Sequence, residues 1–484
     1  MKTNMIRAVC FIIIFQFFFP LFSHQRNFSV SPKKTENPPQ IDGLLDDKIW
    51  EDAPVMTDFI QFEPHKGRPA TVRTEVRVAY DDTHLYCGFK AFDPHPDKII
   101  LGTRRDGLQM GTDSVCVTLD TFHDKRTAYY FRTNPLGVQH DGRISDNGRV
   151  ADLNWDGIWD SAGTFIDGGW SAEIAIPLST VKHRKGPGQT WGIQSSRYYP
   201  RNLEKSFWTG PLEDYRKMDG NGIMTPLDLS VTADKSEFVP HVISRFEESQ
   251  PAGYEAGMDV RYDFTPSLSG HLTVNPDFAT VEADQEQVNL TRFELNLPEK
   301  RKFFLEGNAV YQQRIQLFYS RRIADIYGGA KVYGKAGRNE IAFLSAQTRE
   351  GDLGQASANF STFRLKRDVM ENSTVGFLAA NRLINGQNQG TAGLDTALYL
   401  TEKFRITGQA ALSYGPQGKT DLGFFLRPSY DSSSFHIHLR YTYLGQDFGD
   451  NVNAVGFIRD DNRHEFDSAV RKIFWPQGRI FDRI

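Results

Sequence analysis

Cysteine is scarce in this chain of 484 residues: three occur, and Cys10 lies at the head of an N-terminal apolar run. Cys87 and Cys116 fall in the body of the sequence, in the strand-like runs LYCGF and SVCVTLD. Two thiols cannot staple a fold of this size, which excludes a disulfide scaffold. Their pairing and their burial as free thiols both stay open. Charge of one sign is equally scarce. Lys and Arg number 56 against 60 Asp and Glu, a formal net charge of −4, and neither a basic nor an acidic tail stands out. That balance predicts no nucleic-acid partner. No apolar run reaches the roughly 20 residues a spanning helix needs. No Walker loop, Cys-x-x-Cys, His-Glu-x-x-His or Ser-His-Asp arrangement occurs. Against these absences stands an aromatic share of 13%, with 36 Phe and 18 Tyr, in a chain only 39% hydrophobic. Many aromatics on a polar chain point to strands whose two faces meet different surroundings.

The N-terminus has the pattern of an export signal. Lys2 and Arg7 precede an apolar run from Phe11 to Phe22, broken by Gln16 and Pro20, and Ser23-His24-Gln25 follows. A charged start, a short apolar core and a polar exit predict a signal peptide over residues 1–24. From 38 to 230 the pattern is of short strands with turn signals. TEVRVAYDDTHLYCGFKAF predicts a hairpin around Tyr80-Asp81-Asp82-Thr83. In GWSAEIAIP, the residues Trp170, Ala172, Ile174 and Ile176 share one face, as in an antiparallel sandwich. LLDDKIWEDAP predicts one or two helical turns. Residues 231–253 are polar and are expected to form a linker.

Beyond it, from 254 to 484, the strands lengthen. FRITGQAALSY puts Phe404, Ile406, Gly408, Ala410, Leu412 and Tyr414 opposite Arg405, Thr407, Gln409, Ala411 and Ser413. FHIHLRYTY repeats the alternation, and its His436 and His438 form a weak candidate metal pair on the wet face. Roughly ten to twelve such segments, long enough for the ~9–11 residues of a tilted spanning strand, predict an outer-membrane β-barrel. FWPQGRIFDRI has no clean closing strand, so an incomplete barrel is expected. The fold class is thus all-β: an antiparallel β-sandwich followed by an antiparallel, transmembrane β-barrel. Residues 275–307 carry charges too dense for lipid and read either as a segment folded in the lumen or as an extracellular loop.

Chemistry-bearing residues concentrate near ADLNWDGIWDSAG. Asp152, Asn154, Asp156 and Gly157 begin a calcium loop, but Gly163 stands where the bidentate Glu of an EF-hand belongs, leaving only a weak calcium candidate and no firm cofactor. Trp155 and Trp159, four apart, share a face in strand or helix. They suit a sugar platform, with the neighbouring carboxylates as hydroxyl acceptors; packing in the sandwich core is the competing role. Arg105, Asp113, Arg197 and Trp208 are further polar or aromatic candidates for a carbohydrate site. Glu173 and Glu51 are the carboxylates of interest for glycoside hydrolysis, which needs a pair about 5 Å apart in a retaining enzyme.

IDGLLDDKIWEDAP, YDDTHLYCGFKAFD, GTDSVCVTLDTF, DLNWDGIWDSAG and GWSAEIAIPLSTV together resemble the family 9-type carbohydrate-binding module. VNPDFATVEADQEQVNLTRFELNLPEKRKFFLEG, LFYSRRI and GGAKVYGK resemble the barrel-forming domain of unknown function that follows this module in many outer-membrane proteins of Bacteroidota. That resemblance implies sugar binding between two tryptophans, the nearest equivalents being Trp155 or Trp159 with Trp208, and a core role for Trp50. It also implies a barrel that runs on for more strands than this chain holds. The expected partners are a carbohydrate and outer-membrane lipid, at the cell outer membrane. Hydrolysis of O-glycosyl bonds, or a structural or secretion barrel whose sandwich binds protein, are the alternative functions.

Overall fold

The computed structural model describes residues 28–107, 111–153, 155–230, 236–245, 253–278, 288–350, 356–370 and 372–474. The segment read as a signal peptide lies outside them. The hairpin at Tyr80 forms as its turn residues dictate, with Thr74–Tyr80 antiparallel to His84–Phe92 and Tyr80 opposite Leu85. Asp81 fixes the turn by accepting the backbone N–H groups of Thr83 and His84. This hairpin belongs to a six-stranded sheet that also holds Asp160–Ile166 and Gly169–Pro177. A nine-stranded sheet faces it, centred on Gly186–Tyr199 and Ser114–Asp120. Between them lies one apolar core, in which Trp170, Ala172, Ile174 and Ile176 are all fully buried. The opposite face of the strand Gly169–Pro177 is buried as well. The segment 41–53, with its short helix Lys48–Asp52, covers it and packs Trp50 on Tyr86 and Ala175.

The stretch read as a linker contains the strand Ser236–Arg245, the first of a twelve-stranded antiparallel sheet in which each strand pairs with the next in sequence. Strand lengths of mostly 10–13 residues follow the long alternating segments. Alternation sets the two faces. Phe343, Phe363, Phe377, Leu394, Leu412 and Leu439 are exposed on the convex side. On the concave side Thr362, Arg364, Thr391, Gln409, Ser413 and Thr442 are buried. Register confirms that the apolar set is continuous, with Phe343 opposite Phe363, Phe377 opposite Leu394 and Leu412 opposite Leu422. The sheet is not closed into a barrel. Ser236–Arg245 and Arg463–Lys472 are its edges, and among the described residues no pairing joins them.

The concave side is filled from within the chain. Between Leu268–Val274 and Ile326–Ala336 the polypeptide leaves the sheet and inserts Phe303, Phe304, Val310, Leu317 and Phe318 against Leu344, Phe360, Leu378 and Phe425. Among its described residues, buried charge is paired. Arg301 donates to both Glu299 oxygens at 2.8 and 2.7 Å and to the carbonyls of Ser320 and Ile323. Of the two readings of 275–307, the folded segment is the one observed from Glu299 onward.

Candidate functional site

The six residues proposed from sequence separate sharply by depth. Trp159 is 4% exposed and packs edge-to-face on Phe131 at 5.3 Å. Trp208, at 6%, packs edge-to-face on Phe28 at 5.4 Å. Neither ring is open to a ligand; both are core, because each projects between the two sheets. Arg197 is 1% exposed and donates to the carbonyls of Arg73 and Phe92 at 3.1 and 2.8 Å, tying the two sheets together. Burial draws its guanidinium down to about 10, while Asp113 and Asp93 oppose that shift. Asp113 is fully buried and accepts the Ile100 N–H at 2.8 Å; burial raises its pKa. These four residues hold the sandwich together and do not form a binding surface. Arg105 is exposed and reaches Asp156 at 2.5 Å, bracing the segment that carries Trp155.

Trp155 is different. It is half-buried, tilted on Tyr129 at 4.9 Å and edge-on to Phe131 at 5.9 Å, so one part of the indole is anchored and the rest is free. The backbone beside it is pinned where Gly157 donates to Asp141 at 2.7 Å. Burial pushes the Asp141 carboxyl up to about 6, against the hydrogen bond from Gly157 that lowers it. Gly157 leaves no room for a side chain, since a Cβ there would lie 2.6 Å from the Trp155 ring.

Trp155 lines a cavity of about 410 Å³ between the sandwich and the large sheet. Asp152 and Asp156 flank it on the sandwich side, and Arg261, Glu306 and Tyr333 form the far wall. Tyr333 donates to Glu306 at 2.7 Å, and Arg261 lies 3.6 Å from the same carboxylate. A second cavity of about 340 Å³ shares Asp152 and Leu305 with the first and follows the inserted segment. The volume is that of a small-ligand site, and one aromatic face among paired donors and acceptors suits a polyhydroxylated ring. Sequence reasoning missed the far wall. Glu306 and Tyr333 fall within the stretches FFLEG and GGAKVYGK, which carry no ligand-binding signature, and only the fold sets them opposite Trp155.

Other candidates resolve differently. Glu173 is fully buried: one carboxylate oxygen accepts the Trp50 indole N–H at 2.8 Å, and the other accepts the N–H groups of Asp42 and Gly43 at 3.0 and 2.9 Å. Burial lifts it to about 7 against those bonds. Its partners all belong to the 41–53 segment, far away in the chain, which it clamps onto the sheet instead of facing a cleft; Glu51 is exposed on the short helix. Cys87 and Cys116 are buried free thiols. Of the calcium-loop residues, Asn154 lies outside the described residues and Asp156 is engaged by Arg105. His436 Nε2 and His438 Nδ1 approach to 2.8 Å, with Asp431 and Asp467 at the outer ends of the pair. Among the described residues no group of three or more His, Cys, Asp or Glu is arranged to hold a metal.

Comparison with known proteins finds two family matches. Residues 41–199 match the carbohydrate family 9 binding domain-like family, and residues 226–349 match the domain of unknown function DUF5916. The chain therefore carries a family 9-like carbohydrate-binding domain followed by a domain of the second kind. No curated protein matches it. Among solved structures it is similar to the crystal structure of a candidate carbohydrate-binding protein from Bacteroides uniformis. That match has 13% identity and a TM-score of 0.34, over 41% of this chain and 99% of that one.

Proposed function

We propose that the protein binds a saccharide in the cavity beside Trp155 and that its twelve-stranded sheet sits in a bacterial outer membrane. The observation that carries the first part is Trp155 itself. Within a domain of the family 9-like type, it is the tryptophan of the three considered that reaches a cavity, and carboxylates flank it. Indole offers a flat apolar face for sugar C–H groups, and Asp152 and Asp156 accept hydroxyl protons. Membrane seating is supported by the convex face, where large apolar side chains alternate with buried polar ones, the pattern of strands between lipid and a polar interior. Among the described residues no helix is long and apolar enough to cross a bilayer, so strands would have to do so. Hydrocarbon offers no water to unpaired backbone groups, so seating in lipid requires partner strands at both edges of the sheet. The test is calorimetric titration of the purified full chain with mono- and oligosaccharides, beside Trp155→Ala, together with fractionation of cell envelopes. Saccharide affinity that survives Trp155→Ala unchanged would refute the site. Recovery of the chain in the soluble fraction would refute the membrane.

A further inference from the structure

The ends of the large sheet are not equivalent. At one end the turns are 266–267, 337–338, 369–373, 400–403 and 432–434, none longer than five residues. At the other end two turns, 385–386 and 415–419, are as short, but the connections 275–325 and 445–462 are long. The sandwich contacts all five turns at the short end or the strand ends beside them. Lys182 pairs with Asp263 at 2.9 Å and with Ser269, on either side of the first turn. Asp124 pairs with Lys335 at 2.5 Å and Arg143 with Glu340 at 3.1 Å, across the second. Arg126 meets Asp368 and Asp146 meets Lys366 beside the third. Lys217 donates to the Glu402 carbonyl in the fourth at 2.8 Å, and the Ser433 N–H in the fifth donates to Glu213 at 3.0 Å.

These are built contacts. Asp124, Arg126 and Lys335 are nearly inaccessible, and the signs alternate across the joint, so each buried charge faces its opposite. The chain also enters the sheet at this end, since Ser236 pairs with Tyr262 close to the first turn. Outer-membrane sheets place short turns in the periplasm and long connections outside the cell.

We infer that the sandwich lies on the periplasmic side, docked as a cap over the inward end of the sheet. The cavity beside Trp155, lined by residues next to the first two turns, then takes a saccharide that is already inside the outer membrane, not a polysaccharide at the cell surface. This inference rests on the outer-membrane reading and refines it.

The test uses the full chain in intact Gram-negative cells and a membrane-impermeant maleimide. The native Cys87 and Cys116 are buried, which keeps background low. Gln387→Cys, at the exposed 385–386 hairpin of the long end, should be labelled in intact cells. Asp167→Cys, at an exposed turn of the sandwich, should be labelled only after the outer membrane is permeabilised. Labelling of Asp167→Cys in intact cells, with or without Gln387→Cys, overturns the orientation. Failure of both to label in intact cells, with the chain still in the membrane fraction, overturns it too. If both label only after lysis and the chain is soluble, the membrane reading itself falls. Saccharide titration of the purified chain is read separately, so its failure leaves the labelling result interpretable.

Discussion

Replacing Glu173 by Gln tests whether this carboxylate is a buried clamp or a catalytic acid. Burial raises its pKa from an ordinary 4.5 to about 7, so the folded protein holds the proton more tightly than the unfolded chain. A raised carboxyl contributes most below the unfolded value. Stability is therefore lost as the pH climbs from about 4.5 to about 7, by about 3 kcal/mol in total. The amide of Gln cannot ionise and escapes that loss. It has its own cost: three N–H groups, from Trp50, Asp42 and Gly43, converge on the two carboxylate oxygens. An amide offers only one acceptor atom, so at least one N–H is left facing an NH₂ group, costing about 1–3 kcal/mol. Glu173→Gln should thus be less stable than the parent at pH 5, by up to about 2 kcal/mol, and as stable as the parent or more so at pH 8. The gap should close by about 2.5 kcal/mol between pH 5 and pH 8. Urea unfolding followed by tryptophan fluorescence across that range measures it, and a gap that stays constant refutes the reasoning. The same variant addresses hydrolysis: cleavage of a polysaccharide by the parent, lost in Glu173→Gln with binding retained, would make Glu173 catalytic after all.

Trp155→Ala should weaken saccharide binding at least tenfold, about 1.4 kcal/mol, while Trp155→Phe keeps part of it. Its stability cost, read from thermal unfolding, should be about 2 kcal/mol, below the usual range for a fully buried tryptophan, since the ring is only half-buried. Asp124→Asn should loosen the joint between sandwich and sheet by about 3 kcal/mol or more, read as faster proteolysis between the two parts; unchanged cleavage would argue against a built dock. Although burial works against it, Lys335 and Arg126 hold the Asp124 carboxyl at about 2. Its contribution is therefore present above the ordinary 3.8 and lost as pH falls toward 2, so acid should open the joint in the parent too. Burial pushes the Cys87 thiol up to about 12. Alkylation of both cysteines at pH 8 should accordingly require urea, and a reductant should leave the unfolding midpoint unchanged; rapid labelling of the native chain would contradict this.

Much of the fold was legible because strand alternation is a local property. GWSAEIAIP presents the face that becomes core, and the turn at Tyr80-Asp81-Asp82-Thr83 closes the hairpin it announces. Alternation alone does not say which face is inside. In FRITGQAALSY the apolar face is the outer one, and the buried side carries Thr407, Gln409 and Ser413. The inward apolar material comes from the inserted segment around Phe303 and Phe318. Depth was equally hidden for charged residues. Arg197 and Asp113 look like surface side chains by type, yet hydrogen bonds to backbone groups and nearby opposite charges let both be buried. The spacing of Trp155 and Trp159 put both on Phe131 but could not tell the anchored half-exposed ring from the core one.

Composition and period thus determined, without coordinates, an all-β chain with a sandwich first and long alternating strands after it. The open edges of the sheet, the sandwich docked across its short turns and the cavity opposite Tyr333 and Glu306 were decided only by tertiary structure. Each depends on groups far apart in the chain meeting in space, where pairing of charges and exclusion of water set the energy. No local pattern encodes such encounters.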